Sequence, residues 1–305
     1  MTAPIVIGLA LRDDDAAPLA LGRAIARLTG APLALVAAYA HDPALPKLLP
    51  ELDVPLLNGA LAALEEHAES LRPDHDVEVH ARRGTPTRTL HELVEQLGAG
   101  LLVVGSSHRG RLGRVLAGSV AAGMLHGTSC AVAVAPRGYT GTAALDRIAV
   151  AYDGSDESRD ALAVAVGIAL FAGGKVDGYT VMEPAARAPA LTVPGWSVPS
   201  AYDKSRRAHA DRLVEQFAAA VPPEVMGQAE VLVGPAGASL AAVSQDADLL
   251  VCGSRGYGPL RSVALGGVSR VLVNEASCPV LVLPRSSEAH RLEMLVGRHH
   301  AATLS

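Results

Sequence analysis

The chain has 305 residues, 50% of them hydrophobic and 19% charged, with 26 Lys and Arg against 31 Asp and Glu for a formal charge of −5. That apolar content excludes a disordered chain, and the negative balance excludes a general binder of nucleic-acid backbones. The 3% of aromatic residues are too few for base-stacking platforms, and at ~150 residues per domain the length allows two domains or one large one.

In chain order, the N-terminus MTAPIVIGLALRDDD reaches acidic residues without a basic start or a cleavage site, so it does not read as a signal peptide. Strands are predicted at VIGLA, LALVAAY, VEVHARRG, LLVVGS and AVAVAP, which ends at Pro136. A Gly- and Thr-containing joint follows over 137–146. RIAVAYD, ending at Asp153, opens a second series, with Ser155 capping the next helix and Asp156 and Glu157 suited to its positive end. The apolar stretch Ala161 to Ala172 is too short to cross a bilayer. Then come strand VDGYTV (176–181), a Pro-rich loop over 184–199, a helix from Ala201 to Ala220 and strand EVLVG (230–234). A short helix from Ala238 to Gln245, strand LLVCGS (249–254), a glycine loop, a last helix and strand VLVLP (280–284) complete the series. The tail beyond 285 is polar.

The two series are copies of each other. Residues 101–136 align without gaps with 249–284, pairing Gly105 with Gly253, Gly118 with Gly266 and Cys130 with Cys278 at an offset of 148. Upstream, Ala10 stands opposite Asp153 at an offset of 143, and RRGTP (82–86) corresponds to LVGPA (232–236). The domains are expected at 1–138 and 146–285, with 286–305 as a tail. Each should be a doubly wound α/β unit of five parallel strands with crossover helices.

In such sheets a ligand binds beyond the carboxyl ends of the strands, at the switch point. After the fourth strand of the second copy come Gly253-Ser-Arg-Gly256, nine residues, then Gly266-Gly267-Val268 opening a helix. Glycines there are expected to adopt positive φ and let backbone approach a ligand, while the unpaired N–H groups of the helix start suit a phosphate. Residues 105–137 and 253–274 lack Asp and Glu and carry Arg109, Arg111, Arg114 and Arg137 in one copy and Arg255, Arg261 and Arg270 in the other. Short glycine loops and solvated arginines are also ordinary features of α/β proteins. The three cysteines, Cys130, Cys252 and Cys278, show no metal-ligand spacing and read as small buried hydrophobes of a reducing compartment.

The pattern G-x2-G-x9-G-[S/T], a first-strand Asp and a closing P-V-x-V-x-P strand resemble the universal stress protein family over residues 4–136 and 146–284. The resemblance implies two tandem Rossmann-like, adenine nucleotide alpha hydrolase-like domains that bind ATP, with Mg²⁺ as its accompanying ion, and that pair through their last strands. It places Asp153 on the nucleoside, Gly253, Arg255 and Gly256 in the loop over ribose and phosphates, and Gly266, Gly267 and Val268 at the phosphates. Gly267 stands where a Ser or Thr is usual, and Ser269 is a poor geometric substitute for that hydroxyl. In the first copy Gly105, Gly118, Ser119 and Val120 match, His108 takes the second glycine position, and Ala10 replaces the Asp. Gly110 and Asp13 are the nearest repairs.

Neither a Walker GxxxxGK[ST] nor a G-x-S-x-G elbow occurs, and His108 has no carboxylate nearby in sequence, so no catalytic residue is nominated. Asp13 to Asp15 has the carboxylates for Mg²⁺ but reads better as the acidic start of the first helix, and His299 with His300 lacks further metal ligands. The expectation is a cytoplasmic, non-enzymatic protein that binds adenine nucleotide as a regulatory ligand, without nucleic acid or membrane, its copies paired within the chain and a homodimer of chains left open. A nucleotide-free scaffold and a slow ATPase are the alternatives.

Overall fold

The computed structural model describes residues 3–12, 15–39, 49–107, 112–141, 144–183, 198–254 and 266–284. The first copy runs β1 (Ile5–Leu9), α1 (Ala16–Thr29), β2 (Leu33–Tyr39), α2 (Asp53–Glu69), β3 (Val77–Arg83), α3 (Pro86–Leu97), β4 (Leu101–Gly105), α4 (Ser119–Leu125) and β5 (Ala131–Ala135). The second runs β6 (Arg147–Ala151), α5 (Asp156–Ala172), β7 (Lys175–Met182), α6 (Val198–Ala220), β8 (Met226–Val233), α7 (Ala236–Val243), β9 (Leu249–Gly253), α8 (Gly267–Glu275) and β10 (Val280–Leu283).

The strands lie in the order β3-β2-β1-β4-β5-β10-β9-β6-β7-β8. Pairing is parallel within each copy and antiparallel where β10 meets β5, with Leu281 opposite Ala133. The continuous apolar runs of the sequence are explained by helices on both faces of this sheet. Along β1, Ile5 and Ile7 point into a core with Leu21 and Ile25 of α1 and Leu64 of α2, whereas Val6 points into the opposite core with Leu90 and Leu93 of α3. The second copy repeats this division, Val251 facing α5 and α6 and Leu250 facing α7 and α8. Small aliphatic side chains fill both layers, consistent with the scarcity of rings. Among the described residues the tight aromatic pair is Tyr152 edge-on to Phe217 at 5.6 Å, and Gly178 makes room for the Phe217 ring, since a Cβ there would lie 2.5 Å from it.

Several element boundaries differ by a few residues from the sequence expectation, among them RIAVAYD, whose strand ends at Ala151. Helix α6 begins at Val198, ahead of Ala201, with Pro199 near its start where the missing N–H costs no helix bond. Strand β8 begins at Met226 rather than at 230, because this edge strand pairs with β7 across an irregularity where buried Asp177 accepts the Gln228 N–H at 2.8 Å. Helix α7 begins directly after Pro235 and ends at Val243. The rest of the Pro-rich loop, residues 184–197, and the tail from 285 lie outside the described residues.

The copies also touch beside the sheet. Val115 N–H donates to Ala276 O and Ala117 N–H to Val273 O, both at 2.8 Å, and Arg114 Nη1 donates to Glu275 O at 2.9 Å. The segment that leads into Gly118 thus occupies carbonyls at the C-terminal end of α8, which helix geometry leaves unpaired.

Candidate functional site

Two clefts open at the strand tips, one per copy, each beside the switch point between the first and fourth strands. The cleft of the second copy, ≈ 710 Å³, brings together Asp153, Gly253, Gly266, Gly267 and Val268. That of the first, ≈ 350 Å³, brings together Ala10, Gly105, Gly118, Ser119 and Val120. Both volumes fall within the ~300–1,000 Å³ of small-molecule sites. Arg255, Gly256 and His108 lie outside the described residues, as do Arg109, Gly110, Arg111, Arg261 and Asp13.

In the second copy the turn after β6 is built by short polar side chains. Asp153 is exposed at the cleft mouth, and its Oδ1 accepts the Ser155 N–H at 3.0 Å and the Ser155 hydroxyl. Ser155 in turn caps α5 by accepting the Ser158 N–H at 3.3 Å, as the sequence indicates. Between them Gly154 takes φ 74°, a left-handed conformation that glycine adopts at no steric cost.

The first copy closes the same turn differently. Ala10 carries no carboxylate, and Asp15, only 4% exposed, reaches back from the helix start. Its Oδ1 accepts the Ala10 N–H at 2.8 Å and its Oδ2 the Arg12 N–H at 3.2 Å. The carboxylate at the start of α1 is therefore spent on the backbone of its own turn. Leu11, at the position of Gly154, holds φ 56°, where a side chain costs of the order of 1–2 kcal/mol.

The motif glycines work otherwise than expected. Gly118 has φ −72° and Gly266 φ −61°, both in extended backbone open to any residue, so positive φ does not explain them. Gly105, Gly253 and Gly267 likewise have no positive φ. Gly253 is required by packing instead, since a Cβ there would lie 2.6 Å from Glu157 Cβ and 3.0 Å from its backbone carbonyl in α5. Gly267 is the opposite case, with nothing among the described residues within 4 Å of a Cβ. Among the described residues neither α4 nor α8 has a side-chain cap, and the residues of their first turns, with N–H groups the helix leaves unpaired, line the clefts. Ser269 does not compensate, as it is 2% exposed and donates to Gly266 O at 3.2 Å.

The charge at the clefts does not come from the described arginines of the acid-free loops. Arg114 reaches α8 at the joint between the copies, and neither Arg137 nor Arg270 lines a cleft. Among the described residues the arginines that line the clefts are Arg12 in the first copy and Arg206, from α6, in the second, where Asp153, Glu157, Glu183 and Glu275 also contribute carboxylates. No signal around the glycine motif could have singled these residues out, because they lie on other elements. Cys252 lines the second cleft with its thiol pushed up to about 12 by burial, which removes it as a nucleophile. Burial also raises the Tyr179 phenol on the same wall, and the hydrogen bond with Gln228 partly opposes this. Among the described residues no group of three or more His, Cys, Asp and Glu side chains could hold a metal ion.

Fold and clefts together define a tandem α/β protein of the doubly wound kind, with one switch-point cleft per copy. The universal stress protein family model matches residues 1–136 and again 144–284, and the chain belongs to that family. A universal stress protein of Mycobacterium tuberculosis is 31% identical over 220 residues, covering 67% of this chain and 71% of the relative. One of Thermus aquaticus is 33% identical over 140 residues, 45% of this chain and 96% of the relative. The crystal structure of a universal stress protein from Archaeoglobus fulgidus, 19% identical, shares the fold with a TM-score of 0.68 over 93% of this chain and 98% of that one.

Proposed function

We propose that the chain binds an adenine nucleotide, chiefly ATP, in the cleft of the second copy, as a regulatory ligand in a cytoplasmic stress response. The observation that carries this reading is the convergence of Asp153 with the uncapped start of α8 at Gly266, Gly267 and Val268 in one cleft. A helix start with open N–H groups favours phosphate, and a carboxylate at the neighbouring strand tip accepts from ribose hydroxyls. The first cleft offers the α4 start without the carboxylate and is the weaker site. Where Mg²⁺ accompanies the nucleotide, the phosphates supply its ligands. The two copies act as a pair within the chain, a reading that the antiparallel register of β10 on β5 supports. Nucleic acid and membrane are not partners; among the described residues no helix is long and apolar enough to cross a membrane. The reading is non-enzymatic, with slow ATP hydrolysis as its variant.

The test is chromatography of small molecules released from the denatured protein, together with calorimetric titration of ATP into wild type and Gly267→Asp. The variant places a negative charge at the α8 start without touching its neighbours and is expected to weaken ATP at least tenfold while folding normally. Absence of released nucleotide together with absence of ATP binding overturns the reading. It would favour a nucleotide-free scaffold, to which the four carboxylates of the second cleft and the missing carboxylate at Ala10 already lend weight.

A further inference from the structure

We infer that Glu183 determines base preference in the second cleft, its carboxylate accepting from the exocyclic amine of the bound base. This rests on the nucleotide reading above and adds to it the residue that selects among bases.

Three adjacent strands set the order of groups across the cleft. The phosphate-type helix start follows β9, Asp153 follows β6, and Glu183 follows β7, and β9, β6 and β7 are neighbours in the sheet. At ~4.8 Å per strand the tips of β9 and β7 lie about 10 Å apart with Asp153 between them, which sets the phosphate on the β9 side and the base on the β7 side. Glu183 lines this cleft beside Val181, Pro235 and Leu240, an apolar wall on which a base can lie. Its Oε1 accepts the Ala236 N–H at 3.0 Å, which fixes the carboxylate against the start of α7, and its Oε2 has no hydrogen bond among the described residues. A carboxylate accepts two or more hydrogen bonds and donates none, so it favours an amine over a carbonyl at the base edge.

The first copy serves as an internal comparison. Gly84 N–H donates to Tyr39 O at 3.0 Å and Gly234 N–H to Met182 O at 3.2 Å, so the same turn is present in both. The residue after Met182 is Glu183, and the residue after Tyr39 is Ala40, which lies outside the described residues. The N–H that pins Glu183 belongs to Ala236, and its counterpart Pro86 has no N–H. Acceptor and pinning donor are thus present together in one copy and absent together in the other. Both carboxylates at the strand tips of the second cleft, Asp153 and Glu183, have alanine counterparts in the first, Ala10 and Ala40.

The experiment is calorimetric titration of wild type and Glu183→Gln with ATP and with purine riboside triphosphate, which lacks the amine. Thermal melting verifies that the variant, whose amide oxygen still accepts from Ala236, is folded. Wild type should bind ATP about tenfold more tightly, the value of a hydrogen bond to a charged group at a partly open site, and Glu183→Gln should bring the two ligands to within about twofold. Equal affinities in wild type overturn the inference and leave the nucleotide reading standing. So does a preference that Glu183→Gln leaves intact, the result expected of a carboxylate that only caps α7. Failure of wild type to bind either triphosphate is a different outcome, which overturns the nucleotide reading and this inference with it.

Discussion

The Ala10 N–H donates to Asp15 Oδ1 at 2.8 Å, so the first β–α turn is closed by a carboxylate from five residues further along the chain. The second copy closes the same turn with Asp153 and Ser155, which lie within it. Carboxylates therefore hold both turns, and only Asp153 stands exposed at a cleft mouth.

Asp15→Ala should destabilise the first copy by about 2 kcal/mol, because two backbone N–H groups lose their acceptor in a partly buried turn. Asp15→Asn, which keeps one acceptor oxygen, should lose about half as much. Urea midpoints with an unchanged slope would show this, and a loss below ~0.5 kcal/mol for Asp15→Ala would contradict the assigned role.

The left-handed residue of each turn yields a reciprocal pair. Gly154→Ala should cost about 2 kcal/mol, since the backbone is at φ 74° and the new Cβ would lie 2.6 Å from Leu213 Cδ2. Leu11→Gly should change stability by less than ~1 kcal/mol, relief of strain offsetting the packing of a half-buried side chain. Thermal melts of both variants against wild type measure the difference.

Two glycines of the motif should separate packing from ligand contact. Gly253→Ala drives a Cβ into the backbone of Glu157 and should lower the melting temperature with or without ATP. Gly267→Ser meets no described residue within 4 Å of its Cβ and adds a hydroxyl donor at the α8 start, so it should leave folding intact and tighten ATP about three- to tenfold by calorimetry. Unchanged affinity in Gly267→Ser would remove the phosphate from that helix start.

Stability should fall above about pH 9. Burial raises the thiols of Cys252 and Cys278 from 9.0 to about 12, and the phenols of Tyr139 and Tyr179 shift upward for the same first cause. Between the unfolded and folded values the native chain retains protons that the unfolded chain has lost, so unfolding is favoured as pH rises. Each cysteine contributes about 1.4 kcal/mol per pH unit within that window and nothing below it. Melting temperatures from pH 7 to 11 should therefore decline more gently in the Cys252→Ala/Cys278→Ala double variant.

The fold was legible because buried parallel strands read as uninterrupted apolar runs, and because the copies repeat LLVVG and LLVCG with their loops in register. Boundaries slipped where local signals were mixed, as at β8, an edge strand with Gly227, Gln228 and Glu230 in its sequence. Within the cleft, motif spacing located the helix starts, and the family resemblance pointed to the strand-tip Asp153. It could not locate Arg12, Arg206 or Glu183, whose relation to the motif is created by strand order and a crossing helix. Nor could spacing show that Gly253 answers to Glu157, a contact made across ninety-odd residues of chain by the packing of α5 on β9.

The antiparallel joint of β5 and β10 places the clefts of one chain in a relation that identical subunits cannot match. When a site is repeated by assembly of like chains, every substitution is made in all of its copies. Here each strand tip is encoded separately, so one cleft can keep Asp153 while the other carries Ala10 at the matching position. A shared backbone thereby carries two differently charged strand tips in a single polypeptide, Asp153 at one and Ala10 at the other.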